Sequence, residues 1–101
     1  MSLHATLNSS ATTNTNVGLT ASDHGVFVNY VAIRGALYQG GQVYLLNDGA
    51  TGDYNWDYFS DDVGMTLSGD VSGANIRLIA VVDNSVITNV ELYYNLTKIS
   101  L

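Results

Sequence analysis

Apolar and polar positions alternate along much of this chain, and that period of two predicts β-strands. The alternation is clearest from Asp53 to Phe59, where Tyr54, Trp56 and Tyr58 fall on one face of a strand. No window has an apolar stripe at helical spacing with charges opposite it. Valine, isoleucine, threonine and aromatic residues, which favour strands, are abundant. The predicted fold class is therefore all-β.

Turn signals divide the chain into seven or eight predicted strands. In chain order these are Leu3–Leu7, Val17–Thr20, Gly25–Tyr38, Gln42–Leu46, Asp53–Phe59, Val63–Leu67, Ala74–Asp83 and Val86–Ile99. The connections are too short for helical crossovers, so antiparallel pairing is expected. Strands at this spacing are typical of sandwiches and barrels, and we expect a jelly-roll-like β-sandwich.

Glycine positions predict where the chain bends. The longest predicted strand, Gly25–Tyr38, is apolar on both faces, which indicates a central strand or one at an oligomer interface. Gly35 is expected to form a bulge or bend within it. The glycine pair at 40–41, the Gly-Asp pair at 69–70 and the Ser-Gly pair at 72–73 are expected to be turns. The Asn-Asp-Gly sequence at 47–49 predicts a tight hairpin.

The first sixteen residues differ in composition from the rest. Residues 8–16 are almost all serine, threonine, asparagine and alanine, which bury little apolar surface, so a loop is predicted there. Residues 1–16 are accordingly expected to be a flexible or edge-strand lead-in, and 17–101 a single β-sandwich domain. With 101 residues and 10.8 kDa, the chain has room for one modest core.

Charge and cysteine content exclude several classes of protein. The chain has no cysteine, so disulfide scaffolds and zinc-thiolate sites are ruled out. Its net charge is −6, and Arg34, Arg77 and Lys98 are its only strong cations, so nucleic acid is not an expected partner. No signal-peptide pattern and no apolar run long enough for a bilayer are found, so membrane insertion is not expected.

Candidates for catalysis are few. Nucleophilic catalysis usually needs a histidine base, and only His4 and His24 are present. His4 lies in the predicted lead-in, and His24 is expected in a turn before the long strand. No nucleophile-elbow or phosphate-loop motif occurs. We therefore expect no enzyme and no cofactor. Arg77 is expected on a solvated strand face.

A run of acidic and amide residues provides weak calcium candidates. Asp53, Asn55, Asp57 and Asp61 match the first, third, fifth and ninth ligand positions of an EF-hand loop. The sixth and twelfth positions, where that loop requires glycine and glutamate, are Tyr58 and Gly64. The EF-hand is therefore rejected. No metal is assigned, and these four residues stay as candidates for a looser oxygen-ligand site.

The aromatic residues of the same segment have two interpretations. Tyr54, Trp56 and Tyr58 form either the core face of a strand or an exposed platform for a sugar or a protein partner. The polar residues between them favour the core interpretation, because a strand with one polar face usually buries the other. The three aromatics are the candidate ligand-binding residues of the sequence.

The segment from about Val28 to Ile99 resembles a β-rich domain that recurs in virion structural proteins of tailed bacteriophages. The likeness begins with the strand and hairpin at 38–49 and continues through the aromatic strand. Its most specific part is the stretch Val63–Leu78, and the closing strand Val90–Ile99 also fits. The acidic character of residues 53–58 departs from that family, which leaves room for a site particular to this protein.

The resemblance implies a non-enzymatic structural component of a phage or prophage particle, of the tail-fibre, neck or head-decoration type. Such a protein is expected to form a homo-oligomer through apolar strand faces and to contact other virion proteins. It is expected in the virion, or in the bacterial cytoplasm when expressed from a prophage. The alternative is a carbohydrate-binding or adhesion module for cell-surface carbohydrate, which uses the aromatic strand face with or without calcium.

Overall fold

The computed structural model describes residues 3–9, 12–16, 23–48, 52–73, 75–84 and 86–100. These residues form strands and connections without a helix, so the all-β prediction is confirmed. The strands are β1 (Leu3–Leu7), β2 (Thr12–Asn16), β3 (Asp23–Arg34), β4 (Leu37–Asn47), β5 (Gly52–Ser60), β6 (Met65–Ser72), β7 (Asn75–Val82) and β8 (Val90–Ser100). No helix capable of spanning a bilayer occurs in these ranges.

The strands form two sheets. One has five strands in the order β1-β8-β3-β4-β5, and the other has three in the order β2-β7-β6. All the pairings are antiparallel, as predicted. Connections cross from one sheet to the other several times along the chain, and the crossing from β5 to β6 is made by residues 61–64.

One hydrophobic core lies between the two sheets. Alternate residues of β3, β4, β6, β7 and β8 point into it, as the period-two pattern predicts. The larger sheet contributes fully buried residues such as Val28 and Leu92, and the smaller sheet contributes Leu67 and Leu78. Burial of each such side chain stabilises the fold by about 1.5–3 kcal/mol. The core therefore fixes which face of every strand points outward.

The hairpin between β3 and β4 corrects the sequence prediction. The chain does not continue to Tyr38 with a bulge but turns at Gly35, which has φ 62° and opens a two-residue loop between the paired residues Arg34 and Leu37. Glycine in the first position of such a loop fits a type II′ turn. The glycines at 40–41, predicted as a turn, lie inside β4 because their small size serves contacts between strands.

Two other turns also differ from prediction. The Gly-Asp pair at 69–70 is not a turn but lies inside β6, whereas the turn predicted at 72–73 is confirmed, with φ 61° at Gly73. The hairpin predicted at 47–49 does join β4 to β5, but the pairing of Asn47 with Gly52 makes its loop four residues long. Gly49 itself and the predicted strand Val17–Thr20 lie outside the described residues.

Part of the polar lead-in forms a strand. The loop predicted for residues 8–16 is wrong at its C-terminal end, where β2 pairs with β7 from Thr12 opposite Val81 to Asn16 opposite Arg77. A strand at a sheet edge is held by main-chain hydrogen bonds to one neighbour, so its sequence need not be apolar. Both β1 and β2 are edge strands.

Candidate interaction surfaces

The aromatic residues of β5 do not share one environment. Trp56 is half-buried and packs against the core. Tyr54 and Tyr58 are 52% and 45% exposed, although both point to the same side of the strand. Because β5 is the edge strand of its sheet, the core covers only its middle position. The core interpretation therefore holds for Trp56, and the exposed interpretation holds for the two tyrosines.

Trp56 and Tyr58 line a groove at the open edge between β5 and β6, which we call the Trp56 groove. Their rings stack, with centroids 5.1 Å apart and planes 30° from parallel. The groove has a volume of about 330 Å³. Its lining residues are Trp56, Tyr58, Asp62, Gly64, Met65, Thr66, Val81 and Asp83. Tyr54 is not among them and lies in a separate, smaller depression beside Tyr44 and Leu46.

A buried chain of hydrogen bonds holds the indole ring in place. Trp56 Nε1 donates to the hydroxyl of Tyr30 over 2.8 Å, and that hydroxyl donates to Gln39 Oε1 over 2.9 Å. Gln39 Nε2 then donates to the carbonyl of Asp61 over 3.0 Å. A Cβ at Gly41 would lie 2.9 Å from the Tyr30 hydroxyl, so glycine there makes room for the chain.

Burial raises the pKa of Tyr30, and the hydrogen bond from Trp56 offsets part of that rise. The Tyr30 phenol therefore keeps its proton at neutral pH and can accept from Trp56 while it donates to Gln39. The polar atoms of this hydrogen-bond chain are paired inside the protein, so Trp56 and Tyr58 contribute aromatic surface to the groove.

The opposite wall of the groove carries two carboxylates. Asp62 Oδ1 accepts from the N–H of Gly64 over 2.8 Å, and Asp83 Oδ1 accepts from Arg34 Nη1 over 3.1 Å. The N–H of Asp83 donates to the carbonyl of Gly64 over 2.8 Å. Gly64 has φ 74°, and a Cβ there would collide with the Asp83 carboxylate. Glycine at this position lets the two acidic segments meet.

Arg34 anchors this wall, and sequence reasoning missed its role. Its side chain is only 4% exposed. Besides the Asp83 carboxylate, the guanidinium donates to the carbonyls of Val63, Asp83, Val86 and Thr88. Main-chain carbonyls leave no mark in the sequence, so Arg34 appears there only as one of three cations. In the structure it ties the end of β3 to the β5–β6 and β7–β8 connections.

The second surface is the side of the five-stranded sheet turned away from the core, which we call the outer face. Apart from Glu91 at its margin, the outward-pointing residues of β3, β4 and β8 carry no charge. They are Phe27, Asn29, Val31, Ile33, Tyr38, Gly40, Gln42, Tyr44, Leu46, Glu91, Tyr93, Asn95, Thr97 and Ile99. Glu91 accepts hydrogen bonds from Thr6 and pairs with His4. The centre of the outer face is thus aromatic, aliphatic and amide in character.

A depression of about 380 Å³ lies in the middle of the outer face. Its apolar part follows one row of the sheet, in which Tyr93, Val31, Gly40 and Phe59 are successive register partners. Phe59 is 70% exposed, and its ring lies over Gly40, where a Cβ would be 2.7 Å from a ring carbon. An adjacent amide row, which includes Asn29 and Asn95, lines one side of the depression.

The calcium candidates are not gathered into one site. Asp53, Asn55 and Asp57 alternate along the outward side of β5, at a spacing of about 7 Å between successive members. Asp61 Oδ2 accepts from the N–H of Tyr38. Within the described residues, no group of three or more His, Cys, Asp or Glu side chains is arranged to hold a metal ion.

Two other residues considered from the sequence lie away from both surfaces. His24 lies at an irregularity in the β3–β8 pairing, within the strand and not in a turn, and its Nδ1 is buried with no partner among the described residues. Arg77 is not simply solvated but pairs with Asp70 across β6 and β7, through bonds of 2.8 and 2.7 Å. Those hydrogen bonds lower the pKa of Asp70.

Comparison of the chain with protein-family models, with curated proteins and with solved structures found no match. The likeness to phage virion domains therefore stays a prediction. What the protein does has to be inferred from the Trp56 groove and the outer face, and the two surfaces differ in charge, shape and internal support.

Proposed function

We propose that the protein is a non-enzymatic structural component of a phage or prophage particle, and that it assembles as a homo-oligomer through its outer face. The observation that carries this proposal is the lack of charge at the centre of the outer face in a chain of net charge −6. The interface cores of proteins are depleted in charged residues and enriched in aromatic ones. The outer face has that composition.

Charge also favours a second copy as the occupant. Two chains that each carry a charge of −6 repel one another unless their carboxylates stay apart. Contact through the outer face brings Val31, Tyr93 and Phe59 together; the nearest carboxylate is that of Asp57, which lies on the edge strand β5 at the end of the amide row. Burial of these exposed side chains would supply the free energy of association.

A two-fold arrangement suits the shape of this surface. In an isologous dimer the same patch is used by both copies. The Phe59 ring lies in the central depression with 70% of its surface exposed, so a two-fold contact can bury the ring of each copy against the outer face of the other. The jelly-roll-like sandwich expected for virion domains is compatible with two antiparallel sheets around one core. Such a protein would work in the virion, or stay in the bacterial cytoplasm when expressed from a prophage.

Light scattering on a size-exclusion column tests the assembly. We expect a fixed multiple of 10.8 kDa for the wild-type chain, with and without calcium. Val31→Asp places a charge at the centre of the outer face and is expected to give the monomer. The matched control is Val81→Asp, because Val81 is similarly exposed but lies on the smaller sheet (46% and 41%). A monomeric wild-type chain, or equal dissociation by both variants, would overturn the proposal.

A further inference from the structure

We propose that the Trp56 groove is a saccharide-binding site, which takes a neutral sugar with neighbouring hydroxyl groups. It lies at the open edge between the two sheets, away from the centre of the outer face, so it does not depend on the assembly proposed above. Three features of the groove support this inference: a fixed aromatic wall, a carboxylate wall opposite it, and a size suited to a small ring.

The aromatic wall supplies the apolar half of a sugar site. One face of a pyranose ring presents mainly C–H groups, which pack on the face of an aromatic ring. Trp56 is held by its hydrogen bond to Tyr30, and Tyr58 stacks beside it while remaining 45% exposed. The stacked pair therefore presents the exposed surface of Tyr58, backed by Trp56, as an aromatic wall that is ordered before the ligand arrives, so little conformational entropy is lost on binding.

The carboxylate wall supplies the polar half. Asp62 uses Oδ1 to accept from Gly64, and Oδ2 accepts no hydrogen bond from the described residues. A sugar hydroxyl can donate to that oxygen in a charge-assisted bond. The Thr66 hydroxyl, which also lines the groove, can donate to or accept from a neighbouring hydroxyl. Both polar groups thus line the same cavity as the two aromatic rings.

The volume of the groove and the charge of Asp62 disfavour several other classes of ligand. A volume of about 330 Å³ is at the small end of ligand pockets, which suits one or two sugar rings. An anion would be repelled by Asp62, and a wholly apolar ligand would bury that carboxylate without a partner. An organic cation also fits an acid beside aromatic rings. Because the carboxylate of Asp83 is already paired with Arg34, we favour the neutral ligand.

The fluorescence emission of Trp56 reports on ligand binding in the groove, since Trp56 is the only tryptophan of the chain. We would titrate the protein with glucose, galactose, mannose and N-acetylglucosamine at millimolar concentrations and follow its emission. A saturable change is expected with at least one of the four. Tyr58→Ala and Asp62→Asn should each weaken that binding about tenfold or more, the loss of about 1.4 kcal/mol. Tyr54→Ala is the matched control and should bind like the wild type.

Several outcomes would overturn the inference. They are the absence of a saturable change with all four sugars, equal weakening by Tyr54→Ala and Tyr58→Ala, and saturation by choline in place of the sugars, which would indicate a cation site. Near-ultraviolet circular dichroism of each variant checks that the fold is kept. The Val31→Asp variant should still bind the sugar, so failure of the groove and failure of the assembly can be told apart.

Discussion

The Trp56 groove and the outer face meet along β5, yet they are built in different ways. The groove has one aromatic and one acidic wall, and buried or partly buried hydrogen bonds hold both of them: the Tyr30 chain behind the aromatic wall and Arg34 behind the acidic wall. The centre of the outer face has no charge, and its exposed residues, such as Val31 and Phe59, are supported by strand pairing.

This difference separates two kinds of recognition. Groups held by buried hydrogen bonds keep one geometry, which suits a small ligand that must be matched atom by atom. A flat apolar surface does not need that precision, because association through it depends on buried area. We therefore expect substitutions behind the groove to change both stability and ligand binding. Substitutions on the outer face should change association and leave stability nearly unaltered.

The largest effect is expected at Arg34. Arg34→Met removes the guanidinium that donates to Asp83 and to the carbonyls of Val63, Val86 and Thr88, and leaves the buried Val63 carbonyl and three partly buried acceptors without that donor. Hydrogen bonds to a charged group each contribute about 1.5–3 kcal/mol, so the loss of several together should cost at least about 3 kcal/mol. Urea denaturation, followed by Trp56 emission, measures the change in the free energy of unfolding.

Arg77→Met is the control for that experiment. Arg77 is also paired with an aspartate, but the pair is partly open to solvent, and such pairs contribute little. We expect a much smaller loss of stability than at Arg34. Equal losses in the two variants would contradict the view that buried main-chain acceptors make Arg34 essential to the acidic wall.

An intermediate effect is expected at Tyr30. Tyr30→Phe keeps the ring in the core but removes the hydroxyl between Trp56 Nε1 and Gln39 Oε1. A buried group left without its partner costs about 1–3 kcal/mol. Urea denaturation should register that loss, and Trp56 emission should change in the native state. Tyr38→Phe alters an exposed tyrosine and should change neither the stability nor the emission. An unchanged stability in Tyr30→Phe would contradict a stabilising role for the hydrogen bonds of Tyr30.

The parts of the fold that depend on local patterns could be predicted from the sequence. Alternation in β5 predicts a strand with Tyr54, Trp56 and Tyr58 on one side, and the structure agrees. The positions of turns are harder to predict from the sequence, because glycine occurs both in turns and at close contacts within a sheet. Gly35 turns the chain, whereas Gly41 lies within a strand to make room for the hydroxyl of Tyr30. Only the cross-strand neighbour distinguishes the two cases.

Only one of the two walls of the candidate site could be predicted from the sequence. The aromatic wall comes from one strand and is visible in the sequence. The opposite wall joins Asp62 and Asp83, which lie far apart along the chain and meet at Gly64 because residues 61–64 cross between the sheets. Arg34 holds that wall through hydrogen bonds to main-chain carbonyl oxygens, which every residue carries. No pattern of side chains could have identified it.

The smallest effect concerns Glu91, the charged residue at the β8 side of the outer face. Hydrogen bonds from Thr6 and His4 lower the pKa of Glu91. A lowered pKa in the folded state means that the ionised carboxylate stabilises the fold above the ordinary glutamate value of about 4.3, and that this stability is lost as the pH falls through the lower folded value. Glu91→Gln should therefore flatten the acid limb of stability against pH, measured by urea denaturation, without changing the sugar response of Trp56. An acid limb as steep as that of the wild type would show that other carboxylates, with Asp70 as the next candidate, account for the loss.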